Sequence, residues 1–328
     1  MAITITQLTA FLAVVEGGSV TAAADALMVT QPSVSSAIAA LGRELGCELF
    51  ERSGRGVRLT AAGTAFLPYA TDVVGLLESG RQAVREQAEL AASRLRIIAV
   101  TTAAESFVPP LMRAFSDQHP RIELTLDVGN RERVLDRIRT RHVDVAILGK
   151  PPADDQLVAA PLFENEIVCI AAPDDPAVAR GSVPARDLGD RAWLLREPGS
   201  GTRALNEQFL SERGIAPRQL TLASNGAIKQ AARAGLGVSL ISRDAVEGEL
   251  TTGRLGEIRL EDGPPVSRWF VLCSAVGPVR PAVRSFLEFA RAAAATTAGS
   301  TTPRTGARRG SRSGSARTRR RPPPSPSR

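Results

Sequence analysis

Apolar residues recur with helical spacing through the first sixty positions. Leu8, Phe11, Leu12 and Val15 stand at i, i+3, i+4 and i+7, which predicts an amphipathic helix. Gly17-Gly18 ends it, and Ser19 is placed to cap a second helix with the stripe Val20, Ala23, Ala24 and Leu27. Met28-Val29-Thr30 is a tight connection. Pro32 then falls in the first turn of a third helix, where a missing N–H costs little, and Val34, Ile38, Leu41 and Leu45 form its apolar stripe. Leu49-Phe50, the polar run RSGRG and Val57-Arg58-Leu59 predict a small β-wing that closes a first domain over 1–60. Over 61–92, Phe66, Ala70, Val73, Leu77, Val84 and Ala91 follow 4-3 spacing, broken at Gly80 and Gln87. This predicts one long linker helix. Its apolar stripe is narrow and the opposite face carries Asp72, Glu78, Arg81, Arg85 and Glu89, so pairing with a second copy is favoured over packing on its own domain.

From 93 to 296 the pattern alternates between strand and helix. LRIIAV, IELTLDV, VDVAILG, EIVCIAA, AWLLRE, LTLAS and GVSLIS read as strands, with helical patterns between most of them and a last long helix from about Val279 to Ala295. The expectation is α/β with a largely parallel sheet, divided into two lobes by size. Lobe I takes about 93–162 and 268–296, and lobe II about 163–267. The crossings fall near Pro161–Asn165 and Gly263–Ser267. The chain as a whole is thus predicted to be an α+β multidomain protein. Residues 297–328 hold no large apolar side chain and are expected to be a disordered Arg-rich tail.

Composition changes this picture at two points. The 328 residues exceed one ordinary domain, and no run reaches eighteen consecutive apolar residues, so no membrane-spanning helix is expected. The N-terminus lacks signal-peptide features, and Cys47, Cys169 and Cys273 form no CxxC pair. Both point to a cytoplasmic protein without a membrane partner. The net charge of +7 misleads as a sign of nucleic-acid binding. Nine Arg and no acidic residue lie from Gly299 to Arg328, and subtracting nine from +7 leaves −2 for residues 1–298. DNA binding must therefore be argued from local pattern. The tail's arginines suit sequence-blind contact with DNA phosphates, or they form a neutral extension; sequence leaves both open.

Two constellations carry chemistry. The third helix opens with Thr30, Gln31, Pro32, Ser33, Ser35 and Ser36, small and polar off the buried stripe, as a recognition helix requires. Gln31 can bond adenine bidentately, and the serines can reach bases or phosphates. Arg52, Arg55 and Arg58 sit on the wing, where they can meet the DNA backbone or minor groove. In the second constellation, REPGSGTR at 196–203 joins a strand to a helix, and Ser200, Gly201 and Thr202 present N–H and hydroxyl groups at a helix start. On spacing alone, a plain Gly-rich turn with a cap is the preferred explanation. Thr101-Thr102, Gly149-Lys150-Pro151 and Ser224-Asn225-Gly226 also follow strands, where open α/β sheets bind ligands. Lys229 is equally well a surface charge. His119 and His142 have no metal-ligand spacing, and no GxSxG, HExxH or GxGxxG occurs, so neither an enzyme nor a metal or organic cofactor is expected.

The run FLAVVEGGSVTAAADALMVTQPSVSSAIAALGRELGCELFERSGRGVRLTAAG resembles the N-terminal signature of LysR-type transcriptional regulators over some fifty residues. Gly42 departs from it, where the family usually has Glu. The layout over roughly 3–296 is similar too. The resemblance implies a winged helix-turn-helix, a linker helix and a two-lobed domain of the periplasmic-binding-protein type that holds a small-molecule effector. It also reverses the order of readings for REPGSGTR: Thr101, Thr102, Lys150, Ser200, Gly201, Thr202 and Asn225 become effector-binding candidates. REPGSGTR and SNGAIKQAARAGLGVSLISRDAV resemble regulators of carbon-dioxide-fixation operons and of cysteine and sulfur metabolism, although Gly226 replaces a usual Glu. The expected partners are double-stranded promoter DNA, a phosphorylated or carboxylate metabolite, RNA polymerase, and further copies in a homodimer or homotetramer. The competing expectation is a ligand-binding and assembly module whose N-terminal domain does not read DNA sequence.

Overall fold

The computed structural model describes residues 3–53, 56–88 and 93–300. Helices α1 (Ile5–Gly17), α2 (Val20–Leu27) and α3 (Gln31–Leu45) precede a hairpin of β1 (Phe50–Ser53) and β2 (Gly56–Leu59). The helices stop where local chemistry stops them. Gly18 takes φ +63°, and Ser19 Oγ accepts the Ala22 N–H at 3.1 Å. Thr4 and Gln7 close a reciprocal capping box on α1. Phe11 is fully buried, with the rings of Phe50 and Phe66 centred 5.2 and 5.5 Å away. The hairpin is tied back by the Val57 N–H, which donates to the Gly18 carbonyl at 3.2 Å.

Helix α4 (Ala61–Ala88) has 28 residues, about 42 Å at 1.5 Å per residue. Its stripe divides. Phe66 and Ala70 pack into the core of the first domain, whereas Val73, Leu77 and Val84 are 47%, 37% and 68% exposed. Self-packing thus accounts for the start of the stripe and leaves the rest uncovered. Ala91 lies outside the described residues.

The next unit begins with β3 (Ser93–Val100), α5 (Thr101–Glu105), α6 (Val108–Gln118), β4 (Ile122–Gly129), α7 (Arg131–Arg139), β5 (Val145–Leu148) and β6 (Leu157–Asn165). The chain then enters a second lobe with β7 (Ile167–Ala171), α8 (Pro176–Ala179), β8 (Trp193–Arg196), α9 (Gly201–Glu212), β9 (Gln219–Leu222), α10 (Asn225–Arg233), β10 (Ser239–Ser242), α11 (Glu247–Thr251) and β11 (Gly256–Ile258). It returns through β12 (Ser267–Ser274) and ends in α12 (Pro281–Ser300). The first sheet has the order β4-β3-β5-β12-β6. The second lobe joins the antiparallel set β10-β7-β11 to the parallel pair β8-β9 through a Trp193–Val238 bridge.

Both sheets are mixed, where the sequence predicts largely parallel ones. Strand β12 runs antiparallel to β5 and β6. The reason is the double crossing: β6 runs toward the second lobe and β12 runs away from it, so neighbours must oppose. The sequence reading also passed over β6, β11 and β12 as strands. Helix α12 continues to Ser300, although structureless chain was expected from 297. The alanine run before that point has the highest helix propensity and extends a helix without large apolar residues. The tail itself, 301–328, lies outside the described residues. Among the described residues no single helix is long and apolar enough to cross a membrane.

Candidate functional site

The first candidate surface is the start of α3. Val34 and Leu41 are buried and fix the helix against α1 and α2. Thr30, Gln31, Pro32, Ser33, Ser35 and Ser36 are all exposed on the outer side. Thr30 makes no side-chain cap; its hydroxyl instead shares a 2.8 Å hydrogen bond with Ser33 Oγ. Pro32 has no N–H and the Ser33 N–H donates to the Thr30 carbonyl at 3.0 Å, so the Gln31 N–H is the first-turn donor left open to an anion such as DNA phosphate. Arg52 is exposed on β1, and Arg58 is exposed while paired with Glu51 at 2.9 Å. Arg55 lies outside the described residues.

The second is a cavity of about 770 Å³ between the lobes. Thr101 and Thr102 reach it from the end of β3, and Lys150 from the end of β5. Ser200, Gly201 and Thr202 bring the N-terminus of α9 to the opposite wall. Ser200 is 6% exposed and its side chain caps nothing, so its hydroxyl and the first N–H groups of α9 are available to a ligand. A twelve-residue helix directs its positive end into this space.

Two residues weighed from the sequence lie outside the cavity lining, Asn225 as a correction and Lys229 in keeping with its surface-charge alternative. Asn225 does not line the cavity. It is 1% exposed, and its amide is consumed between Arg196 Nη1, which donates to Oδ1 at 2.6 Å, and Thr102 Oγ1, which accepts from Nδ2 at 2.8 Å. It ties one lobe to the other behind the ligand space. Lys229 turns away and pairs with Glu249 at 2.8 Å.

The sequence reading missed Asn130, Arg131, Arg196, Arg268 and Trp269, all of which line the cavity. Asn130 and Arg131 follow β4 and open α7, the same strand-end position that located the other loops. Arg196 stood in the quoted motif without a role. The cavity wall carries the cations Arg131, Lys150, Arg196 and Arg268 and not one carboxylate side chain. Arg196 is compensated by its paired neighbour Glu197, at 2.7 Å. For Arg131, burial first and then the charge of Arg139 lower the guanidinium pKa. An incoming anion would oppose both by favouring the charged guanidinium. Further ties between the lobes are the Glu132 N–H to the Gly199 carbonyl at 3.1 Å and Trp269 Nε1–H to Asp244 at 3.3 Å.

Comparison with known proteins assigns both parts of the chain to one family. Residues 5–64 match the family described as "Bacterial regulatory helix-turn-helix protein, lysR family", and residues 88–295 match "LysR substrate binding domain". A RuBisCO operon transcriptional regulator of Allochromatium vinosum is 35% identical over 296 residues, covering 90% of this chain and 98% of that one. The HTH-type transcriptional regulator CbbR of Rhodospirillum rubrum is 37% identical over 292 residues, covering 88% and 96%. Among solved structures, the regulatory domain of Synechocystis CcmR in complex with 2-PG is 32% identical. It covers 62% of this chain and 97% of that one, with a TM-score of 0.59. A full-length OxyR variant from Pseudomonas aeruginosa, 24% identical, covers 89% and 95% with a TM-score of 0.67 and shares the fold. The sequence relatives are transcriptional regulators, not enzymes. The match over 5–64 sets aside an N-terminal domain that serves assembly alone.

Proposed function

The chain belongs to the LysR family of DNA-binding transcriptional regulators, and from that premise we propose that a small phosphorylated or carboxylate metabolite, held between its lobes, controls how its N-terminal domain engages promoter DNA. The observation that carries the effector reading is the cavity wall: four cations, an uncapped helix N-terminus and no carboxylate side chain. Thr101, Thr102, Lys150, Ser200, Gly201 and Thr202 contact the anion, joined by Arg131. Asn225 acts behind them by holding Arg196 and Thr102. A ligand that touches both lobes favours the closed arrangement over any open one, which is the differential affinity that control requires. The Synechocystis domain bound to 2-PG supports an acidic metabolite, and the relatives named as RuBisCO operon regulators support carbon fixation as the controlled process.

On the DNA side, Thr30, Gln31, Pro32, Ser33, Ser35 and Ser36 read the major groove, while Arg52, Arg55 and Arg58 meet the backbone or minor groove. The uncovered residues Val73, Leu77 and Val84 support a dimer through α4. Family resemblance extends the dimer to a tetramer that presents bent DNA to RNA polymerase. A cytoplasmic location follows from contact with the chromosome.

The direct test is calorimetry of the full chain with 2-phosphoglycolate, followed by footprinting on DNA flanking its own gene with and without it. Lys150→Ala is expected to weaken ligand binding on the order of tenfold, the scale of one lost charge-assisted hydrogen bond. Unchanged affinity would remove Lys150 from the site, and no heat with any phosphorylated or carboxylate compound would remove the anion reading. For the tail, truncation after Ser300 is expected to flatten the dependence of DNA affinity on salt and keep the sequence preference. An unaltered salt slope would show that the arginines do not touch DNA.

A further inference from the structure

Helix α4 docks on the first lobe along a stripe that borders its uncovered apolar one and shares Leu76, 40% exposed, with it. Asp72, Gly75, Leu76 and Ser79 stand at i, i+3, i+4 and i+7. Arg141, in the turn after α7, meets this stripe. Its Nε and Nη2 donate to Asp72 Oδ1 at 3.3 and 3.2 Å, and its Nη1 donates to the Val276 carbonyl at 3.2 Å. The side chain is 9% exposed. Its methylenes occupy the space where a Cβ on Gly75 would stand, and Gly277 likewise leaves room for Leu76. Close approach of the two surfaces is what calls for glycine at 75, whereas Gly277 is also required by its φ of +82°.

Arg141 also holds φ +57°, a left-handed conformation that costs an L side chain with a Cβ on the order of 1 kcal/mol. Glycine or asparagine would form the same turn with less strain. An arginine kept there is explained by the work of its guanidinium on Asp72 and Val276.

Helix α7 connects this contact to the cavity. Asn130 and Arg131, at its start, line the cavity. At its other end the Arg141 N–H donates to the Ile138 carbonyl at 3.2 Å. Nine residues, about 13 Å, separate the two ends. Val134, Leu135 and Ile138 are buried beneath the helix, and one continuous element joins its two ends. Helix α4 in turn carries Phe66 and Ala70 in the core of the DNA-reading domain, so a shift of α4 is a shift of that domain.

We propose that Arg141 is a positioning residue that clamps α4 to the first lobe, and that α7 makes this clamp respond to what the cavity holds. The second half rests on the reading of the cavity as the effector site. The clamp distances of 3.2–3.3 Å lie near the outer limit of a hydrogen bond, so a displacement of α7 by less than about 1 Å releases them.

The test is amide hydrogen exchange on the full chain, with and without 2-phosphoglycolate, in wild type, Arg141→Ala and Arg141→Lys. Without ligand, Arg141→Ala is expected to speed exchange at least tenfold in 72–79 and 276–280 and to leave 95–99 unchanged. Arg141→Lys keeps one charge for Asp72 and recovers part of the protection. With ligand, wild type gains protection at 129–131 and 200–204 and changes at 72–79. Arg141→Ala keeps the first response and loses the second. Equal exchange at 72–79 in wild type and Arg141→Ala overturns the clamp, and a ligand response at 72–79 that survives Arg141→Ala overturns the coupling. Absence of protection at 129–131 and 200–204 counts against the cavity reading for this anion, and the ligand-free comparison still decides the clamp. If Arg141→Ala speeds exchange at 95–99 as well, Asp72→Ala on α4 gives the same readout without altering the lobe.

Discussion

Replacing Gln31 and Ser33 together with alanine is expected to lower affinity for the specific DNA site about 30-fold or more and to leave dimerisation intact. Each base contact contributes about 1–3 kcal/mol of discrimination, so losing both costs on the order of 2 kcal/mol or more. Both side chains are exposed, so their removal leaves the core of the first domain untouched. Helix α3 stays in place because Val34 and Leu41 are buried. Ser33 is not the cap of α3, and its side chain bonds the Thr30 hydroxyl, so the loss is not a loss of helix. Binding to unrelated DNA should change little, since phosphate contacts carry it. Fluorescence anisotropy on the protein's own promoter DNA against competitor DNA reads the first effect, and sedimentation reads the second. Sequence preference that survives both changes would sink the assignment of base reading to this helix start.

Asp144→Ala is expected to destabilise the first lobe by about 3–5 kcal/mol, the usual loss when a buried pair keeps only one charge. Asp144 accepts from Arg96 Nη2 at 2.9 Å and pairs with Arg280 Nη2 at 2.7 Å. The Arg96 side chain is 38% exposed and can turn to water, but Arg280 is 7% exposed and cannot. The cost comes mainly from Arg280, which keeps the Arg94 carbonyl but loses this carboxylate. The same cluster gives stability a pH dependence. Burial alone pushes the Asp144 carboxyl up, but the Arg96 hydrogen bonds and the Arg280 charge outweigh it and hold the pKa below 3.8. A carboxyl with a folded pKa below its unfolded value binds fewer protons when folded, so its contribution is present above the unfolded value and lost as pH falls through the folded one. Urea melts of the wild type should shift to lower midpoints as pH drops below about 4, and Asp144→Ala should lack that part of the shift. A mutant with the wild-type midpoint at neutral pH would contradict the buried-pair account.

The sequence by itself determined the parts that local chemistry controls. Gly18 and Ser19 punctuate the first helices because a left-handed cap and an N-cap are properties of a few adjacent residues. Serines on the outer face of α3 follow from a helical period that Val34 and Leu41 set. Loops at strand ends pointed to Lys150 and Ser200 because parallel strands bring their carboxyl ends to one edge. Partners far apart in the chain were decided only by the tertiary structure. Asn225 looked like a ligand contact until Thr102, 123 positions away, was seen to take its amide. The apolar stripe of α4 was read as one seam, although Phe66 and Ala70 belong to the core around Phe11. Strands β6 and β12 escaped notice because their pairing depends on the crossings between lobes. Arg141 carried no local signal, since its partners lie 69 and 135 positions away. A residue's own neighbours set its backbone and its exposed face, but what a buried polar group bonds is settled by which distant segments the folded core brings against it.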